Sequence, residues 1–335
     1  MSNYIFIIST LFYLLTQLSS AQSESTLLLP SESSHTCPSL NPSLNYRPVI
    51  GILSHPGDGA SGRLNNSTNA SYIAASYVKF VESAGARVIP FIYNEPSHVL
   101  QQKLELVNGF LLTGGWCKTG LYFDVIEDIF KKILEKNDAG HHFPLLSISL
   151  GFEILSMIVS KDRNILEHFS ASNQASKLEL MENINIEGTV FGRFPPDLLR
   201  KLSTDCLAMQ NHKYGLSPEK FQGNADLHNF FEILTTTADE DDKVYVSTMQ
   251  ARNYPVTVSQ WNPEKNAFEW ASNTIPHSED AIQVTQNVAN FFVSEARKSS
   301  NRPPKQTVLD NLIYNYSPTF CGIAGKGYDE VYIFT

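Results

Sequence analysis

From residue 47 onward, apolar residues fall into short runs of four or five that alternate with stretches of helical spacing. Val49-Ile50-Gly51-Ile52-Leu53 ends in the turn-forming His55-Pro56-Gly57-Asp58-Gly59 and predicts a buried first strand with a loop above it. Tyr72 to Ser83 carries Ile73, Tyr77, Phe80 and Val81 at helical spacing and stops at Ala84-Gly85, a favourable C-terminal cap. Val88 to Ile92 predicts a second strand, which Pro90 places at a sheet edge or strand end. Gly109-Phe110-Leu111-Leu112 predicts a third and leads into Thr113-Gly114-Gly115-Trp116. Val125, Ile126, Ile129, Phe130, Ile133 and Leu134 line one face of a helix from Phe123 to Leu134.

Strands alternating with helices in this way specify an α/β fold, a parallel sheet covered on both faces. Farther on, Tyr245 to Met249 and Val256 to Gln260 are joined by a short turn at Asn253-Tyr254, which predicts a hairpin and makes the sheet mixed. A last long helix is expected from Glu279 to Lys298, with acids at its start and Arg297-Lys298 at its end, as the helix dipole favours. The tail (Tyr314, Tyr316, Phe320, Tyr328, Tyr332, Phe334) is aromatic-rich and is expected to pack back on the domain. No repeat or linker interrupts 47–335, so a single domain is the economical reading.

Ahead of it, Ile5 to Leu15 is an apolar run followed by Ser19-Ser20-Ala21, which predicts a signal peptide over 1–21, although no Lys or Arg precedes the run. A membrane anchor would need roughly 20 apolar residues. Residues 22–46, rich in Ser, Pro and Leu, read as a flexible leader. Asn65, Asn66 and Asn69 head overlapping glycosylation sequons and Asn315 heads another; the plainer reading is a polar loop. Cys37, Cys117, Cys206 and Cys321 lie far apart without zinc-like spacing, which leaves one or two disulfides or four free thiols open and gives no support for a metal. The 335 residues are 42% hydrophobic and 18% charged, enough for a substantial core. A formal net charge of −9 argues against nucleic acid as a partner and offers no basic patch to a membrane surface.

The chemistry concentrates in two places. Leu145 to Glu153 reads as strand, sharp turn and helix start, the layout of a nucleophile elbow with Ser149 at its tip. Ser259-Gln260-Trp261-Asn262-Pro263-Glu264-Lys265 is the second. Together with Ile52 to Asp58, Tyr72 to Lys79, Glu82 to Val88 and Thr113 to Trp116, these segments resemble the γ-glutamyl hydrolases, the folate-polyglutamate-trimming branch of the class I glutaminase-like family. Gly115-Trp116 with Gly120-Leu121-Tyr122 resembles the plant forms. That resemblance implies a three-layer sandwich, flavodoxin-like and class I glutaminase amidotransferase-like, with folylpoly-γ-glutamate as substrate or ligand. It also implies a homodimer or a heterodimer with an active paralogue. The sequence itself gives no support for a cofactor. Family members carry Cys at the elbow and His in the second motif; here Ser149 and Asn262 stand in those places, and Glu264 matches the acid that orients the histidine.

By the same resemblance the backbone N–H groups of Gly115 and Leu150 form an oxyanion hole, His212 handles substrate and Glu153 has a role at the site. Glu153 reads equally as a favourable charge at a helix N-terminus, and Trp116, Tyr122 and Lys118 as either pocket lining or loop packing. A thiolate–imidazolium pair supplies an ionised nucleophile near neutral pH. Serine attacks only when a base takes its proton, and an amide at Asn262 takes none. The expectation is therefore a secretory-pathway protein, vacuolar or extracellular, that keeps the frame and is silent or severely impaired. Ser-x-Ser-x-Gly approximates a serine-hydrolase elbow, so a serine peptidase with His212 recruited as base is the alternative, as is a folylpolyglutamate-binding protein that does not cut. Ser147 occupies the elbow's usual leading glycine and adds bulk there, and Cys117 reads as a spectator thiol rather than a relocated nucleophile.

Overall fold

Val49–Leu53 (β1) is buried at every residue, and its side chains alternate between two apolar layers: Ile50 and Ile52 enter one, Val49 and Leu53 the other. This is what a strand covered on both faces requires. In the computed structural model, residues 37, 39–322 and 328–335 are described; the expected signal peptide lies outside them.

Further strands follow: His55–Pro56 (β2), Ser71–Ala74 (β3), Arg87–Phe91 (β4), Gly109–Leu112 (β5), Leu145–Ile148 (β6) and Glu167–Ser176 (β7). After them come Glu179–Leu180 (β8), Ala208–Gly215 (β9), Phe231–Ala238 (β10), Val244–Ala251 (β11) and Val256–Ser259 (β12). Thr319–Phe320 (β13) and Glu330–Phe334 (β14) close the chain. The main sheet has the order β4-β1-β5-β6-β12-β11-β10-β8. Pairings from β4 to β12 are parallel; β12–β11, β11–β10 and β10–β8 are antiparallel. The fold is thus a layered α/β sandwich with a mixed, mostly parallel sheet, and Pro90 lies in an edge strand as expected.

Helices Ala75–Ser83 (α1) and Glu279–Arg297 (α9 in chain order) cover one face through Tyr77, Phe80, Val284 and Phe292. Ser97–Leu104 (α2), Leu121–Asp138 (α3) and Leu150–Ser160 (α4) cover the other. Four short helices lie between α4 and α9: Pro196–Leu202 (α5), Pro218–Gly223 (α6), Ala225–Phe230 (α7) and Lys265–Phe268 (α8). Among the described residues no helix is long and apolar enough to cross a membrane.

Three expectations change. Tyr72 and Ile73 are in strand β3, opposite Ile333 and Tyr332 of β14, and the helix starts only at Ala75. Helical spacing of Ile73 and Tyr77 carried no information about a pairing with the far end of the chain in the tail. Order also begins before Arg47: Asn45 is buried and its N–H donates to Arg297 O at 2.6 Å. The tail packs back through Val331, Phe334 and Cys321, whereas Tyr314, Tyr316 and Phe320 stay exposed.

Gly51 is the tightest point of the sheet. A Cβ there would lie 2.7 Å from the rings of both Phe91 and Phe110. Gly51→Ala is expected to destabilise the fold by about 1–3 kcal/mol through overpacking, read as a lower midpoint in urea unfolding with an unchanged slope.

Candidate active site

Four loops meet above the sheet, and each leaves the C-terminal end of a parallel strand: β1, β5, β6 and β12. That edge is where open α/β sheets form their clefts. Here the cleft is about 430 Å³ and includes Asp58, Gly114, Gly115, Trp116, Ser149, Asn211, Asn262, Lys265 and Tyr328 in its wall.

Ser149 occupies the turn between β6 and α4 with φ 53 and ψ −103, a conformation L residues rarely adopt. Its N–H is held by Ser259 O at 2.7 Å, and its own carbonyl accepts Glu153 N–H at 3.1 Å to open the helix. Ser147 fits because Gly151 has no side chain: a Cβ on Gly151 would sit 2.3 Å from Ser147 Oγ. The bulk at the elbow's leading position is thereby absorbed.

The Gly114–Cys117 loop is fixed from below by a residue whose role the sequence did not reveal. His55 is buried, donates from Nδ1 to Pro56 O at 2.8 Å, and at Nε2 accepts the N–H groups of Trp116 (3.0 Å) and Cys117 (3.1 Å). A Cβ on Gly115 would come within 2.3 Å of this ring, so only glycine passes over it. Burial pushes the His55 pKa down to about 4. Gly114 N–H goes to Tyr77 Oη at 2.9 Å. No acceptor among the described residues takes Gly115 N–H, and Leu150 is the first residue of α4, where helix N–H groups lack internal partners. These are the two donors expected to face a developing oxyanion.

Ser149 and Asn262 converge on Gly114: a Cβ built there would be 3.4 Å from Ser149 Cβ and 3.5 Å from Asn262 Nδ2. The two positions that the family resemblance assigns to nucleophile and base thus lie on either side of one glycine in the same cleft. Asn262 Nδ2 donates to Glu264 Oε1 at 3.0 Å, while Asn262 Oδ1 is buried without a partner. Glu264 is fully buried, and desolvation raises its pKa despite the nearby Lys265. No side chain among the described residues hydrogen-bonds the Ser149 hydroxyl. Whichever way the Asn262 amide lies, it offers Ser149 no proton acceptor of useful basicity.

His212 is not drawn into the cleft. Successive residues of β9 face opposite sides, and Asn211 is the one that lines it. His212 donates from Nδ1 to Tyr214 O at 2.9 Å, its Nε2 is buried without a partner, and burial lowers its pKa to about 4. Glu153 is buried on α4, where desolvation raises its pKa to about 7 against the opposing effect of Lys118. The two form an ion pair at 2.5 Å, with Lys118 Nζ also 3.7 Å from the centre of the Tyr214 ring. Trp116 stands exposed on the cleft rim, whereas Tyr122 is buried against His55. Cys117 packs partly against the core and is absent from the cleft wall, and all four cysteines are free. Among the described residues no group of three or more His, Cys, Asp or Glu side chains is placed to hold a metal.

The residues missed by sequence reasoning are His55, Tyr77, Asn211, Lys265 and Tyr328. His55 and Lys265 stood inside motifs already singled out; only the fold shows what they face.

His55 gives the site a measurable acid sensitivity. The unfolded chain takes up its proton near 6.5, the folded one only near 4, so acidification across that window favours unfolding. Its contribution is complete above about pH 6.5 and lost as pH falls towards 4. Unfolding free energies of the protein and of His55→Gln, measured from pH 4 to 7, are expected to differ in slope by about one proton, roughly 1.4 kcal/mol per pH unit. Equal slopes would remove His55 from this role.

Residues 48–160 match the family model described as Peptidase C26. Over 316 residues the chain is 65% identical to Gamma-glutamyl hydrolase 2 of Arabidopsis thaliana, covering 92% of this chain and 91% of that one. It is 58% identical to Gamma-glutamyl hydrolase of Glycine max, over 98% of this chain and 97% of the other. Against Gamma-glutamyl hydrolase of Homo sapiens the identity is 32%, over 86% and 90%. With likeness of that extent lying over an elbow, a glycine loop and a second motif brought together at one sheet edge, the chain belongs to the γ-glutamyl hydrolase family.

Proposed function

We propose that this protein binds folylpoly-γ-glutamates in the Ser149 cleft and is silent, or nearly so, as a hydrolase. The observation that carries this reading is the local chemistry at one point of the cleft. An alcohol at Ser149 and an amide at Asn262 line the same cleft beside Gly114, and the amide is already committed to Glu264. In hydrolases whose groups act as a unit, loss of nucleophile or base costs on the order of 10⁶ in turnover. The N–H groups of Gly115 and Leu150 need no particular side chains, so an oxyanion site and a binding cleft persist without the reacting pair.

The alternative of a serine peptidase with His212 as base has less support, because Asn211 rather than His212 lines the cleft. Cleavage of an amide would also require His212 to give up a buried, neutral position.

The N-terminal run and the sequons support entry to the secretory route, ending in a vacuole or outside the cell. Asn66, Asn69 and Asn315 are exposed, while Asn65 is half-buried with its side chain accepting Ser67 N–H. Pairing with a second copy or with an active paralogue is part of the same proposal and rests on the family resemblance. Co-expression with a tagged active paralogue tests it: the present chain should co-purify and should shift in mobility after N-glycosidase treatment. Clean separation would count against the pairing.

Incubation with pteroylpenta-γ-glutamate, following both chain shortening and binding, tests the central reading. The native protein is expected to bind without trimming, and the double variant Ser149→Cys, Asn262→His to gain hydrolysis. Either single variant should remain poor, since thiol and imidazole activate one another. Rapid trimming by the native protein would overturn the proposal.

A further inference from the structure

Among the described residues the cleft wall carries two charged side chains, Asp58 and Lys265. Asp58 is already occupied. Burial disfavours its charge, but Oδ1 accepts Ala60 and Gly62 N–H at 2.9 and 2.8 Å, and Oδ2 accepts Leu64 and Asn65 N–H at 2.8 and 2.9 Å. These bonds hold its pKa at about 2 and make it the organiser of the loop. Lys265 is different. It is half-buried at the start of α8, and no carboxylate among the described residues lies within ion-pair distance of it. Its acidic neighbours, Glu264 and Glu269, are buried carboxyls whose ionisation desolvation disfavours. A cation without an ion-pair partner among the described residues is thus presented to the cleft.

The C-terminal tail seats this lysine. Lys265 Nζ lies 5.6 Å from the centre of the Tyr328 ring, and Tyr328 packs against Tyr72 and Tyr77. At the other end of α8, Glu269 Oε2 accepts Asp329 N–H at 2.8 Å and Asp329 Oδ2 accepts Trp270 N–H at 2.5 Å. The C-terminal end of the short helix is thus hydrogen-bonded to the tail, and its first residue has the Tyr328 ring beside its ammonium.

We propose that Lys265, seated by Tyr328, binds an α-carboxylate of the poly-γ-glutamyl chain and so sets the cleft's preference for γ-linked glutamate. This rests on the ligand class assigned to the cleft under Proposed function. A γ-linkage uses the side-chain carboxyl and leaves an α-carboxylate on every residue, so a ligand lying across Ser149 and Asn262 carries an anion close to each amide it presents. In a protein of net charge −9, a local cation of this kind is what an acidic ligand requires.

The test measures binding of pteroylpenta-γ-glutamate, and of the same compound with its α-carboxylates converted to amides, to the full-length protein, Lys265→Met, Lys265→Arg and Tyr328→Leu. The native protein is expected to bind the carboxylate ligand with an affinity that falls as salt rises. Lys265→Met should weaken that binding about tenfold and flatten the salt dependence, while Lys265→Arg keeps most of both. The amidated ligand should bind the native protein about as weakly as the carboxylate ligand binds Lys265→Met, and the same substitution should weaken it no further. Tyr328→Leu should weaken the carboxylate ligand alone. Circular dichroism and melting temperature identify a variant that has failed to fold, in which case Lys265→Arg and the amidated ligand still decide. Equal affinity of Lys265→Met and the native protein for the carboxylate ligand would overturn this inference and leave the binding reading intact. Absence of binding by the native protein would overturn both.

Discussion

A single main-chain hydrogen bond, from Ser149 N–H to Ser259 O at 2.7 Å, ties together two loops that lie far apart in sequence. It continues the parallel register of β6 on β12, in which Ser259 stands opposite Ile148, and carries that register one residue into the elbow. Holding Ser149 at φ 53 costs on the order of 1–3 kcal/mol, which the sheet below and α4 above offset. Nothing in that bond depends on whether residue 149 ends in sulfur or oxygen. The frame is specified by backbone, and the reacting atoms are attachments to it.

Around this frame four buried titratable groups are shifted towards their neutral forms. His55 and His212 are held low, while Glu153 and Glu269 are pushed up to about 7, in each case chiefly by burial. The two kinds act on stability in opposite directions. A raised carboxyl contributes fully below its unfolded value and loses that contribution as pH rises through about 7. A depressed histidine contributes fully above about 6.5 and loses it as pH falls towards 4. Between those limits the slopes oppose one another, so the site as a whole tolerates mild acid better than its two histidines alone would. In such a low-charge surrounding an unpaired lysine exerts more influence than it would on an open surface.

Legibility followed the range of the interactions. The strands that build the parallel sheet, the β11–β12 hairpin and the long helix to Arg297 are encoded in local apolar runs and turn residues, and the structure holds them close to where those patterns put them. The elbow and the second motif were readable because each is a contiguous segment whose geometry is local. Tyr72 and Ile73 were misread because their partners lie in β14, and periodicity within a window cannot report a pairing with the far end of the chain. His55 escaped for a related reason. In sequence it is one histidine in a proline-glycine turn, and its work consists of accepting two N–H groups from a loop 61 and 62 positions later. Ser147 was read as added bulk because the vacancy that receives it, at Gly151, exists only once strand and helix are folded against each other.

The second motif shows how chemistry and architecture separate. Glu264 is fully buried and needs a donor, because a buried carboxyl without one is destabilising by several kcal/mol. An imidazole at position 262 would supply that donor through a ring N–H; Asn262 supplies it through Nδ2 at 3.0 Å. The contact that holds the acid is thus satisfied by either side chain, whereas only one of them accepts a proton from a neighbouring hydroxyl. What the amide leaves unsatisfied is its own Oδ1, buried and without a partner on the side away from that contact. The bond to residue 262 is therefore a structural reason for an acid at position 264 that does not depend on a base at 262. The presence of the acid is accordingly weak evidence for catalysis.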